Sequence, residues 1–131
     1  MKNKKGFTLV ELLSVIVILA LISVIATTGI ITLSNKSKEN MYCAKLEMIS
    51  SVARDYAVKY EYELNNSKEL FNGYKSIKIK INDLIDAGKL ETDKDNKVLN
   101  PIDDSNLNDK EIILYLKNNS INVYIDSNNV C

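Results

Sequence analysis

The stretch LLSVIVILALISVIATTGIITL, residues 12–33, decides the fold, because it runs for 22 residues without a charged side chain. As an α-helix it would be roughly 33 Å long, enough to cross the hydrocarbon core of a membrane. A secretory signal peptide ends its apolar core after about 7–15 residues, at small residues that mark the cleavage site. This core is longer and no such site closes it. We therefore predict a membrane-inserted helix over residues 7–33.

The charged residues flank the apolar stretch unevenly. Three lysines lie within the first six residues, whereas Glu11 is the only acidic residue among the first 35. Because basic residues remain on the cytoplasmic side, the N-terminus is predicted inside and everything after Leu33 outside. Residues 34–131 carry 14 basic and 16 acidic side chains, without the basic patch in the sequence that nucleic-acid binding needs. We expect a single-pass membrane protein with an external head and no nucleic-acid partner.

A second signal lies where the basic residues meet the apolar stretch. It is the run Lys4-Lys5-Gly6-Phe7-Thr8-Leu9-Val10-Glu11. This run resembles the processing site of type IV prepilins and pseudopilins, in which a basic leader ends in glycine, an aromatic residue follows, and a glutamate stands fifth after the cut. The resemblance implies that residues 1–6 are a leader, which a membrane-bound prepilin peptidase removes between Gly6 and Phe7 on the cytoplasmic side. It also implies that Phe7 becomes the N-methylated terminus.

Glu11 has a physical interpretation of its own. An acid in the centre of a membrane helix costs about 2.5–3.5 kcal/mol, and less near the interface. In an uncleaved anchor, Glu11 would simply reach the lipid headgroups. After cleavage, the ammonium of Phe7 in a staggered neighbour could neutralise Glu11 and so fix the axial register of parallel helices. This assembly role of Phe7 and Glu11 is the one that the resemblance implies.

The residues after Leu33 continue as an amphipathic helix, predicted over residues 34–62. Apolar side chains recur at spacings of four and three, as on one helical face: Tyr42, Leu46, Ile49, Ala53, Tyr56 and Tyr60. Together with the membrane segment, this predicts one helix from about Phe7 to Glu61, roughly 80 Å long. A coiled coil is the alternative, but the stripe is short for one. We expect the stripe to pack under a head.

Residues 63–131 are predicted to form that head. Isoleucines alternate with lysines in a predicted half-buried strand, Tyr74–Ile81. Asn82 is predicted to cap a short helix that Gly88 ends. The helix and glycine turn, residues 83–90, with the following Asn100-Pro101, resemble a segment of Gram-positive and major-type pilins.

Two further strands are predicted near the end of the chain. Glu111–Lys117 and Ile121–Asp126 flank Asn118-Asn119-Ser120, which indicates a hairpin. The predicted fold class is α+β, with a long N-terminal helix packed against a small antiparallel sheet. The first half of this helix is predicted to be membrane-embedded and the second half amphipathic. This architecture is also the one that the pilin resemblance implies.

The chain has two cysteines, Cys43 and Cys131, both on the predicted external side. Oxidising conditions there favour a disulfide, which would tie the last residue to the helix. The alternatives are a buried free Cys43 with a reactive Cys131, or a disulfide between subunits.

Residue types suited to catalysis are sparse. The chain has no histidine, and neither cysteine has a general base nearby in sequence, so an enzyme is not expected. The run Asp93-Lys94-Asp95-Asn96-Lys97 resembles the start of a calcium loop, but Lys97 stands where an oxygen ligand belongs. Asp103, Asp104 and Asp109 could help to hold calcium, although solvated loop acids are the simpler interpretation. We expect no metal and no cofactor.

The resemblance implies a structural subunit, a major or minor pilin, of a type IV pilus-like filament. Its partners would be copies of itself, other pilins, the prepilin peptidase and the assembly platform. It would lie in the cytoplasmic membrane before assembly and in an extracellular filament afterwards. The alternatives are a pseudopilin of a type II secretion or competence DNA-uptake machine, and a monomeric membrane-anchored binding module.

Overall fold

The structure, a computed structural model, describes residues 8–131 with the exception of the side chain of Thr28. The predicted leader and the Gly6–Phe7 junction lie outside the described residues. The chain divides into two compact units, the first ending at Ser37 and the second spanning Lys38–Cys131.

The first unit is part of helix α1, which spans Leu9–Ala57. From Leu9 to Leu33 the large apolar side chains are all exposed, by 50–82%. Of the helical stretches described, the one containing α1, Leu9–Asn65, is long and apolar enough to cross a membrane, with a mean hydropathy of 2.9 in its best window. The hydroxyls of Ser14 and Ser23 donate to the carbonyls of Val10 and Leu19 at 2.8 and 2.7 Å. These polar side chains therefore place no unpaired donor in a lipid environment.

In the second unit, α1 supplies one wall of the core. The predicted stripe is buried from Tyr42 to Tyr56, and Ile49 and Ala53 are fully enclosed. Met41 and Met48 lie beside the stripe and are half exposed or more. The prediction of core packing is thus confirmed. The helix is less regular than expected, because α1 ends at Ala57 and a 3₁₀ turn, Val58–Tyr60, separates it from α2, Glu61–Asn65.

Four antiparallel strands form the other wall, in the order β1-β2-β3-β4. They are β1, Leu70–Phe71; β2, Tyr74–Lys80; β3, Glu111–Lys117; and β4, Ser120–Tyr124. The helix-and-sheet α+β architecture is confirmed. Inward-facing Ile79, Ile112 and Leu114 are buried, and Leu90, Val98 and Leu107 from the long loop that precedes β3 complete the core.

Two asparagine turns set the strand registers. Asn72 and Gly73 join β1 to β2 with φ values of +50° and +86°, and Asn118 and Asn119 join β3 to β4 with +54° and +59°. Two consecutive left-handed residues give the turn whose twist matches a hairpin, and asparagine and glycine tolerate that conformation. The second hairpin was predicted, but β4 spans Ser120–Tyr124 instead of Ile121–Asp126. It begins one residue earlier because Ser120 pairs with Lys117, and it ends two residues earlier, after Tyr124 pairs with Ile113. The two-residue strand β1 was not predicted.

The prediction that Asn82 caps the short helix is wrong. Helix α3 spans Ile81–Asp86, so β2 ends at Lys80, which is the residue preceding the helix and has an extended backbone. The Asp83 carboxylate accepts a hydrogen bond from the backbone N–H of Lys80 at 2.8 Å and so stabilises the helix start. Ile81 is fully buried and already helical, which places Asn82 inside the first turn. The prediction that Gly88 ends this helix agrees with the structure, since Gly88 follows the helix with φ +70°.

Candidate assembly and processing site

Glu11 lies in the first turn of α1, and its geometry is that of a capping box. The backbone N–H of Glu11 donates to Thr8 Oγ1 at 3.2 Å, and the backbone N–H of Thr8 donates to Glu11 Oε2 at 3.4 Å. Reciprocal bonds of this kind satisfy two of the free N–H groups at a helix start. Sequence reasoning missed this role of Glu11, although the spacing Thr8-x-x-Glu11 was a readable signal.

The carboxylate of Glu11 keeps capacity for a second partner. Its contact with Thr8 is long for a hydrogen bond to a charged acceptor, and both side chains are exposed. A carboxylate has about four acceptor positions. Within residues 8–131 it forms no ion pair, since the ion pairs there are Lys45–Asp93 and Lys78–Glu111. Glu11 can therefore cap its own helix and still accept from an external ammonium group, while its expected partner Phe7 lies outside the described residues.

Cys43 and Cys131 form a disulfide in the second unit, with their Cα atoms 5.7 Å apart. Cys43 is half-buried on α1, and Cys131 is the exposed last residue, 88 positions later. Ser127 Oγ accepts a hydrogen bond from the backbone N–H of Cys131 at 3.3 Å, and Val130 packs against the core. The bond therefore fixes the C-terminal segment to the helix and encloses almost all of the second unit.

Asp93, the first residue of the run that resembles a calcium loop, forms hydrogen bonds with other residues of the protein. Its Oδ2 accepts from Lys45 Nζ at 2.6 Å and from the backbone N–H of Leu99 at 2.8 Å. Lys45 Nζ also donates to the Leu99 carbonyl at 2.6 Å. These contacts of Lys45, Asp93 and Leu99, here called the clamp, join the loop between α3 and β3 to α1.

Two other acids of that loop, Asp95 and Asp103, lie in its turns. Asp95 and Asn96 are left-handed, with φ +52° and +58°, in a tight turn bridged by Lys94 and Lys97. The Asp103 carboxylate accepts from the backbone N–H of Ser105 at 3.0 Å, and hydrogen bonding to Ser105 lowers the pKa of Asp103. In the described part of the chain, no group of three or more acids and cysteines is placed to hold a metal ion.

The clamp makes stability depend on pH. The pKa of Asp93 lies below its ordinary value of 3.8, first because of the Lys45 hydrogen bond and second because of the Leu99 N–H. A lowered folded-state pKa contributes stability above the unfolded value, and this is lost as pH falls through the folded value. We expect Asp93→Asn to lower the unfolding temperature at pH 6, with the difference from the unmodified protein shrinking below about pH 4.

Thermal unfolding in a pH series checks this expectation, and Asp95→Asn is the matched control because it removes a carboxylate from the neighbouring exposed turn. A difference between Asp93→Asn and the unmodified protein that stays constant down to about pH 2 would contradict a role for the charged clamp.

Comparison with known protein families identifies a motif at the N-terminus. Residues 1–27 match the family model of the prokaryotic N-terminal methylation motif, which is the signature of type IV pilins and pseudopilins. Searches of curated proteins and of solved structures found no match to the chain. The matched segment contains both the Gly6–Phe7 junction and Glu11. The chain therefore begins with the processing and methylation signature of type IV pilin and pseudopilin precursors.

Proposed function

We propose that this protein is a structural subunit, a major or minor pilin, of a type IV pilus-like surface filament. Its precursor has a leader over residues 1–6, an assembly helix over 7–33, an amphipathic helical segment over 34–62, which the 3₁₀ turn Val58–Tyr60 interrupts, and a head over 63–131. Prepilin peptidase cuts between Gly6 and Phe7, Phe7 is N-methylated, and the head lies outside the cytoplasmic membrane. The observation that carries the proposal is the methylation motif leading directly into an exposed apolar helix.

The exposed apolar surface of α1 supports this function. Between Leu9 and Leu33 each of its large apolar side chains is at least half exposed. Such a surface must be covered by lipid or by other apolar helices. In the proposed cycle, lipid covers it before assembly, and the same helices of neighbouring subunits cover it in the filament. Copies of the chain, other pilins and the assembly platform are the partners that this requires.

Glu11 supports the proposal because it introduces an acid into this surface. An ionisable group in a membrane segment is costly unless it is paired. Capping by Thr8 satisfies part of its hydrogen bonding and leaves its charge without an ion-pair partner among residues 8–131. The ammonium of Phe7 in a neighbouring subunit is the partner that the proposed processing creates.

Shearing of producing cells tests the proposal. We expect the protein in sedimentable surface filaments, and we expect Gly6→Glu, which places a large charged side chain at the junction, to remain in the membrane with its leader attached. Asn3→Gln, a leader change away from the junction, is the matched control and should enter filaments normally.

Recovery of the protein only as a membrane monomer, in cells whose other pilins form filaments, would contradict a structural role. That result would favour the membrane-anchored binding module instead.

A further inference from the structure

Strand β4 forms one edge of the sheet, and within residues 8–131 its outer edge is unpaired. It pairs with β3 alone, and the sheet ends there. The opposite edge strand, β1, has only two residues and follows Lys68 and Glu69. Short edge strands and charged residues are two means by which proteins prevent edge-to-edge pairing. Since β4 has five residues and none of them is charged, it is the edge that is open to a further strand.

The register of the hairpin identifies which backbone groups of β4 are free. Ser120 follows a two-residue turn and pairs with Lys117, so these two residues exchange hydrogen bonds. Because bonded and non-bonded pairs alternate in an antiparallel ladder, Asn122 is also bonded to β3, whereas Ile121 and Val123 direct their N–H and C=O groups away from it. Within residues 8–131 none of these four groups takes part in a turn or loop hydrogen bond. The edge of β4 therefore presents two donors and two acceptors.

The composition of the segment around β4 favours strand pairing. Residues 118–125 contain no charged residue and no proline, and half of them are β-branched or aromatic: Ile121, Val123, Tyr124 and Ile125. Such segments have high β-propensity and lack the charges that keep strand edges apart. The nearest charges have opposite signs, with Lys117 before the segment and Asp126 after it.

The free groups of β4 are complementary to those of a second copy that runs in the opposite direction. A two-fold axis at Asn122 places Ile121 of one copy opposite Val123 of the other. Each of the two resulting pairs exchanges two hydrogen bonds, so all the free groups of both edges are satisfied. Position 126 then faces position 118, which brings Asp126 close to Lys117 of the second copy. A parallel arrangement would instead place like charges together.

We propose that the edge of β4 binds the edge of β4 in a second copy of this chain, as an antiparallel pair that joins two four-stranded sheets. The self-complementarity of both the hydrogen-bonding groups and the flanking charges favours a second copy over an unrelated peptide. A two-fold contact closes on itself and cannot propagate a helical filament. It is therefore additional to the packing of the apolar helices, and it joins the heads of two filaments or of two membrane precursors.

Site-directed cross-linking of the full-length protein in detergent micelles tests the proposal. Asn122 would face Asn122 of the second copy as a non-hydrogen-bonded pair, with Cα atoms about 4.5 Å apart, which is within the range of a disulfide. Asn122→Cys, oxidised with glutathione disulfide, should give a dimer as its main product, with the cross-link located at position 122 by mass spectrometry. Ser120→Cys is the matched control on the same strand and the same face. Its two copies would lie about 13 Å apart along the strand and should not cross-link.

Two further variants separate edge pairing from association through α1. Val123→Pro removes an edge N–H that pairing with β3 does not use, and edge strands tolerate such a proline. Combined with Asn122→Cys, it removes two of the four hydrogen bonds between the copies and should reduce cross-linking about 10-fold. Glu11→Ala should leave cross-linking unchanged, so failure of the dimer and failure of filament assembly are distinguishable. The proposal would be overturned by absence of the cross-link at position 122, by equal cross-linking of Ser120→Cys, or by cross-linking that Val123→Pro does not reduce.

Discussion

Replacement of Glu11 by alanine is expected to abolish incorporation into filaments while leaving membrane insertion intact. The change makes the apolar helix more apolar, so insertion is not impaired. In the filament, the ammonium of a neighbouring Phe7 would lose its partner in a low-dielectric bundle. Removing one member of a buried ion pair costs about 3–5 kcal/mol, because the other charge stays buried and uncompensated. The measurement is the amount of subunit in sheared filaments relative to the amount in the membrane.

Two further variants distinguish the effect of losing the Glu11 charge from the effect of destabilising the start of the helix. Glu11→Gln keeps a side chain able to complete the capping box but removes the charge, and we expect it to fail as Glu11→Ala does. Thr8→Ala removes the hydroxyl that accepts from the Glu11 N–H at 3.2 Å but keeps the carboxylate. It should cost about 1 kcal/mol of helix stability and still assemble. Normal filaments from Glu11→Gln would show that Glu11 acts only as a cap.

Loss of the disulfide is expected to have the largest effect on the stability of the second unit. Cys43 and Cys131 are 88 residues apart, and for a loop of that length the chain-entropy model gives about 4–5 kcal/mol. Small domains are stable by only about 5–15 kcal/mol in total. We therefore expect the double variant Cys43→Ser, Cys131→Ser to unfold at a much lower denaturant concentration than the oxidised protein.

Chemical denaturation of the purified protein, with and without reductant, provides the measurement. Reductant should shift the unmodified protein to the midpoint of the double variant and leave that variant unchanged. A double variant as stable as the oxidised protein would show that the disulfide does not stabilise the second unit, and two titratable thiols in the unreduced protein would show that it does not form.

The sequence predicted those parts of the fold in which a local pattern coincides with burial. The α1 stripe from Tyr42 to Tyr56 follows the helical period, and its side chains are buried as that period requires. Asn118 and Asn119 mark a hairpin because few residues tolerate two consecutive left-handed positions. Glu111–Lys117 was predicted with its observed bounds for the same reason, since that turn fixes where β3 ends.

Other parts could not be read because they depend on contacts between distant residues. Lys45 and Asp93 are 48 positions apart, and nothing local distinguishes Asp93 from a solvated loop acid or a calcium ligand. Strand β1 has two residues and is too short to show alternation. Asn82 was a reasonable cap by residue type, but the burial of Ile81 and the carboxylate of Asp83 begin α3 earlier. At the assembly site, the Thr8–Glu11 capping box could have been predicted, because its spacing is visible in the sequence.

Processing at Gly6–Phe7 and methylation of Phe7 together define the mass and the first residue of the mature subunit, and intact mass with N-terminal sequencing of protein from sheared filaments measures both. We expect a subunit that begins at Phe7, carries one added methyl group, contains one disulfide, and consists of the 125 residues left when the six-residue leader is removed from 131. A filament subunit that still contains Met1–Gly6, or that begins at any residue other than Phe7, would show that the chain is not processed as a type IV prepilin.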